Sequence, residues 1–137
     1  MARKKRNLKG DSLKLLAERG WLAGDVEMHV PGTHNRRDLF GLFDIVAVHP
    51  SRGILGLQVT NSANLGNHVT AALSVERARR VACCLRAGLR VEYWGWRPKG
   101  NGTILSRTFK LSNTGDMVIA WDGSDVLEEG ERDGDDD

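Results

Sequence analysis

The segment Asp44–Thr60, DIVAVHPSRGILGLQVT, constrains the fold more than any other part of the chain. Two short runs of β-branched and aliphatic residues flank Pro50-Ser51-Arg52-Gly53, which carries turn chemistry, so the segment reads as a β-hairpin. Residues two apart on a strand share a face. Gln58 and Thr60 therefore point the same way, and pairing with the preceding strand can bring them near Asp44. A carboxylate at the entrance and a polar pair at the exit have the layout of a metal-binding hydrolytic site.

The 137 residues suit one domain with a core that needs neither disulfides nor structural metal. No apolar run reaches the length of a membrane span, and the Arg-Lys-Lys-Arg opening is not followed by a signal-peptide-like stretch, so no membrane association is expected. Cys83 and Cys84 are adjacent within a helical pattern and can neither staple the fold nor form half a zinc site, which makes a reducing, cytoplasmic setting the default expectation. Charge is distributed unevenly. Asp122–Asp137 holds nine acidic residues and one arginine, a net of −8, so residues 1–121 carry +10 for the chain to total +2. The last stretch reads as a disordered acidic tail and the body as a basic domain, a composition suited to polyanions, nucleic acid first. A basic surface that merely aids solubility is the alternative.

Residues 1–10 read as a flexible basic arm, 11–121 as the domain and 122–137 as the tail. Asp11-Ser12 can cap a short helix carrying Leu13, Leu16 and Ala17, which Gly20 ends. Val26–Val30 alternates as a half-buried strand, and a polar loop with Arg36, Arg37 and Asp38 leads to the hairpin. Asn67 is a candidate cap for a helix over His68–Ala87, whose apolar face includes Val69, Ala72, Leu73, Val75, Ala78, Ala82 and Leu85. Arg90–Trp96 is a strand, followed by two more at Thr103–Leu111 and Met117–Trp121. The order predicts an α/β (α+β) fold in which helices flank a mixed sheet extended by C-terminal strands.

This αβββαβ order, with Asp44 on the second strand and Gln58-Val59-Thr60 on the third, resembles the PD-(D/E)XK nuclease superfamily, which includes archaeal-type Holliday junction resolvases and restriction-like endonucleases. The thirteen residues between Asp44 and Gln58 suit its hairpin, and the resemblance covers residues 11–96. It implies a restriction-endonuclease-like core and Mg²⁺-dependent phosphodiester hydrolysis of nucleic acid, DNA above all, using one or two Mg²⁺ ions. By position, Asp44 matches the superfamily's first aspartate, Gln58 its second acidic residue and Thr60 the lysine that helps position water. Dimerisation is common in the superfamily, so a homodimer is implied as well. The departures are specific. Phe43 replaces a frequent proline, Gln58 offers Mg²⁺ a carbonyl without charge, and Thr60 brings no cation. Asp38, Glu27 and, more remotely, Asp11 are the carboxylates that can compensate, and Lys99 or Arg36 can supply positive charge. Arg3, Lys4, Lys5, Arg6, Arg36, Arg37, Arg77 and Arg80 are the candidate nucleic-acid contacts. A relative that only binds DNA or RNA, and a protein-interaction module with an acidic tail, are the competing readings.

Each residue also has an ordinary structural role open to it. Asp44 can cap a turn, Gln58 and Thr60 can sit on a solvent-facing strand, and Asp38 can pair with Arg36 or Arg37. His29, His34, His49 and His68 show no paired ligand spacing. Tyr93, Trp94 and Trp96 can stack bases or fill the core, and alternation requires some of them inside. Asn61–Asn67 runs into a helix N-terminus suited to a backbone phosphate, without a P-loop pattern.

Overall fold

The computed structural model describes residues 6–98, 103–112, 117–120 and 125–127. Helix α1 (Leu8–Glu18) starts earlier than the Asp11-Ser12 cap expected and lies partly inside the expected arm, because Asn7 caps it by accepting the Gly10 N–H at 2.9 Å. Ser12 instead turns inward, donating to the Leu8 carbonyl and accepting the Trp96 indole N–H, both at 2.8 Å. A buried hydroxyl is tolerated there because both of its hydrogen-bonding functions are met.

The strand predicted over Val26–Val30 divides differently. Strand β1 (Leu22–Asp25) joins the main sheet, whereas β2 (Met28–His29) pairs only with β3 (Arg36–Arg37) in a separate ribbon. Then come β4 (Ile45–His49), β5 (Gly53–Asn61), α2 (Leu65–Ala72), α3 (Val75–Arg86), β6 (Arg90–Trp96), β7 (Thr103–Leu111), β8 (Met117–Ala120) and β9 (Asp125–Leu127). The fold is α+β, with a mixed sheet in the order β1-β4-β5-β6-β7-β8; β9, drawn from the acidic stretch, also pairs with β7. Among the described residues, only β5 and β6 run parallel, as a connection through two helices allows.

The helix expected over His68–Ala87 is broken at Ser74, whose φ of −59° and ψ of 152° leave the helical region and make it the N-cap of α3. Leu73 and Val75, assigned to the apolar face, are consequently exposed. The cap of α2 is Asn64, not Asn67.

Two cores lie on opposite faces of the sheet. On one, Leu15, Leu16 and Trp21 pack against Ile45, Leu55, Leu57, Trp94 and Trp96. On the other, Leu65, Val69, Ala72 and Val81 of α2 and α3 pack against Val91, Tyr93 and Phe109, with Leu42 and Phe43. Tyr93, Trp94 and Trp96 are all buried, which removes them as stacking platforms. Phe43 lies over Gly56, where an added Cβ would stand 2.7 Å from the ring, so the sheet has room for this phenyl only because residue 56 lacks a side chain. Among the described residues, no helix is long and apolar enough to cross a membrane.

Candidate functional site

The hairpin register pairs Ile45 with Leu57, and the next step places Asp44 opposite Gln58, with the Asp44 N–H donating to the Leu57 carbonyl at 3.1 Å. Across the parallel pair, Gln58 is in register with Tyr93. Asp44, Gln58 and Tyr93 thus form a row across the sheet, on the face that α2 and α3 cover.

A tight loop brings Asp38 to this row. Leu39 and Phe43 bridge, and Phe40 (φ 59°) and Gly41 (φ 70°) make the reversal between them. Positive φ costs a residue such as Phe40 about 1–2 kcal/mol. The tip is held from α3, where the Arg80 guanidinium donates to the Phe40 carbonyl at 3.2 Å. Asp38 and Asp44 flank the bridged pair. Gln58 ties the loop down by donating from its amide nitrogen to Asp38 Oδ2 at 2.7 Å and to the Leu42 carbonyl at 3.0 Å. Both of its N–H donors are used, and its carbonyl oxygen is what remains to offer a ligand.

Asp44 is only 8% exposed, and its Oδ1 is buried with no hydrogen-bond partner. Burial pushes the carboxyl up to about 7; the charge of Asp38 adds to the rise, Lys9 opposes it, and Glu27 adds further. Lys9, from the first turn of α1, lies 2.6 Å from Glu27 Oε1 and 3.0 Å from Asp25 Oδ2. Burial works against the Lys9 ammonium, but these two carboxylates outweigh it and hold its pKa above the usual range. Asp25 is pulled down despite its own burial, by the hydrogen bond from Lys9 and that from the Glu27 N–H. The row therefore sits in a field of carboxylates with one ammonium beside it.

The expected site residues divide clearly. Asp38, Asp44 and Gln58 come together. Thr60 shares their face two residues further along β5, half-buried, in register with Gly95. Glu27 reaches Asp44 electrostatically but is engaged with Lys9 and, at 3.8 Å, with Arg36. Asp11 is paired with Arg6 at 3.2 Å instead. Arg6 also donates to the Arg97 carbonyl and lies over the Trp96 ring, so it braces the domain. Arg36 and Arg37 are exposed on the ribbon. Arg80 is occupied by Phe40 and by Glu76 at 3.2 Å. Arg77 borders a cleft of about 270 Å³ with Asp38, Gln58, Asn67, His68 and Tyr93. Arg3, Lys4, Lys5 and Lys99 lie outside the described residues, as does most of the acidic stretch. In the expected phosphate loop, the Asn64 N–H is already taken by the Asn61 carbonyl and side chain.

Lys9 and the Tyr93 hydroxyl also belong to the site, without a sequence pattern that marks them. Nothing local marks Lys9, because its partners lie beyond α1. Tyr93 has a signal only in the register that places it beside Gln58.

Among the described residues, no group of three His, Cys, Asp or Glu is placed to hold a metal ion. Comparison with known proteins brings no match, whether to a family model, a curated protein or a solved structure.

Proposed function

We propose that this chain is a nucleic-acid-acting protein of the PD-(D/E)XK superfamily, a Mg²⁺-dependent phosphodiesterase acting on DNA and centred on Asp44. One observation carries the reading: a carboxylate buried to 8% exposure, with an orphaned oxygen, stands opposite Gln58 and beside Asp38. A structural aspartate that deep is ordinarily hydrogen-bonded or paired. The order of α1, β1, the β4–β5 hairpin, the α2–α3 crossover and parallel β6 supports a restriction-endonuclease-like core.

The residues fit a magnesium ion of the kind completed by substrate. Mg²⁺ commonly takes one or two carboxylates, keeps several waters and draws its remaining ligands from phosphate, so a three-residue cage is not required. Asp44 and Asp38 would hold it, with the Gln58 carbonyl as the auxiliary oxygen. The ion would supply Lewis-acid polarisation of the phosphate and a more acidic water. In the chain's own chemistry, Gln58 fixes Asp38, the Phe40–Gly41 turn sets the spacing of the two carboxylates, and Thr60 offers a hydroxyl to orient water. Arg36, Arg37 and Arg77 would contact the phosphate backbone, with Arg3, Lys4 and Lys5 extending that contact.

A non-catalytic nucleic-acid-binding relative is the second reading, favoured by the absence of a lysine at Thr60 and of a carboxylate at Gln58. Incubation with labelled linear and branched DNA in Mg²⁺, Mn²⁺ or EDTA separates the two. The enzyme reading predicts metal-dependent cutting that Asp44→Ala abolishes while binding persists. Cutting unchanged in Asp44→Ala would refute the site, and salt-sensitive binding without cutting would establish the second reading.

A further inference from the structure

The cleft beside Asp44 is more than a metal ion requires. Its volume of about 270 Å³ falls just short of drug-sized ligand pockets and is far too small for a duplex. Asp38 and Gln58 belong to both the cleft and the Asp44 row, so whatever fills the cleft touches the proposed reaction centre.

Two donors in the lining face the cleft. Tyr93 is 3% exposed and lines the cleft, yet among the described residues its hydroxyl has no hydrogen-bond partner. The hydroxyl opens into the cleft rather than being sealed among apolar side chains, so it is free to donate to an acceptor held there. Arg77, exposed at the mouth of the cleft, has neither ion pair nor hydrogen bond among the described residues and so presents its charge to the cleft. The guanidinium and the phenol, joined by Asn67 and His68, make a set of donors suited to phosphate. Asp38 repels an anion from its own end and so directs phosphate toward Arg77. The small side chains of Ala71 and Ala72 border the same space and leave room for a flat ring.

We propose that this cleft receives one unpaired nucleotide of a strand held at Asp44, with its phosphate on Arg77 and the Tyr93 hydroxyl. The inference rests on the nucleic-acid reading and adds a substrate class: strands with at least one nucleotide out of the stack, such as forks, flaps or single strands. A continuous duplex would first have to flip a nucleotide out, at the expense of its stacking.

Calorimetric titration of the full chain tests this with dTMP, inorganic phosphate and a short 5′-phosphorylated oligothymidylate. The oligomer should bind more tightly than dTMP, and dTMP more tightly than phosphate. Arg77→Gln should weaken dTMP binding about tenfold or more, and Tyr93→Phe about three- to tenfold, the range of one hydrogen bond. Tyr93→Phe keeps the edge contact with Phe109 at 5.0 Å, so the fold is preserved. No dTMP binding, or affinity unchanged in both variants, overturns the proposal. So does phosphate binding as tightly as dTMP, or an oligomer binding no more tightly than dTMP. Cleavage measured on the same samples judges the nuclease reading separately, since an inactive protein can still bind dTMP through Arg77 and Tyr93.

Discussion

Replacing Asp44 with asparagine should stabilise the protein at neutral and alkaline pH in the absence of divalent metal. The folded carboxyl titrates near 7, against an ordinary aspartate value of 3.8. Its pKa is raised on folding, so the sign is opposite to that of a salt-bridged carboxylate. Below the unfolded value both states are protonated and nothing is lost. As pH rises, the unfolded chain releases its proton first, and stability falls until the folded carboxyl also ionises. A gap of about three pKa units corresponds to about 4 kcal/mol in full, of which about 2–3 kcal/mol falls between pH 5 and pH 8. Against a total stability of about 5–15 kcal/mol this is readily measured. Urea unfolding of wild type and Asp44→Asn in EDTA at pH 5, 6.5 and 8 isolates the effect, because titrating groups remote from Asp44 cancel in the difference and only its neighbours Asp38, Glu27 and Lys9 are coupled to it. The advantage of the variant should grow by about 2–3 kcal/mol from pH 5 to pH 8. A difference that stays flat with pH would mean that folding does not raise the Asp44 pKa. Mg²⁺ at pH 8 should narrow the gap by stabilising the wild type alone.

Two other substitutions probe the scaffold. Gly56→Ala forces a methyl against the Phe43 ring, 2.7 Å from the Cβ position, and should cost about 1–3 kcal/mol in urea unfolding while disturbing the turn that carries Asp38. Lys9→Met leaves Glu27 and Asp25 without their ammonium and removes the charge that opposes the rise at Asp44. It should lower stability by about 1–2 kcal/mol and move the Asp44 midpoint upward, read by NMR titration.

The hairpin was legible because its alternation, its turn residues and its buried inner face all agree, and the register that sets Asp44 against Gln58 follows from them. Other elements left weaker traces. Strand β1 is defined by backbone pairing with β4 at an edge, and its Leu22 is 77% exposed, so no burial pattern announces it. The alternation at Val26–Val30 is real, but Met28 and His29 close a two-residue ribbon with Arg37 and Arg36 rather than entering the sheet. Ser74 followed by Glu76 in the first turn was a readable N-cap signal inside the long helical pattern, hidden by the apolar Leu73 and Val75 on either side. At the site, Asp38 and Gln58 could be named from sequence, but their hydrogen bond depends on Phe40 taking a backbone conformation that its side chain disfavours. Lys9 and Tyr93 join the site only through tertiary packing and the β5–β6 register, which no local pattern encodes.

On the proposed function, the buried Asp44 carboxylate is a ligand for a divalent cation. Carbon-13 NMR titration of its side-chain carboxyl, with and without Mg²⁺, tests this most directly. The midpoint should lie near 7 in EDTA and fall by a unit or more, about 1.4 kcal/mol per unit, when Mg²⁺ is present. A midpoint near 4 in EDTA, or one near 7 that Mg²⁺ leaves unmoved, would contradict it.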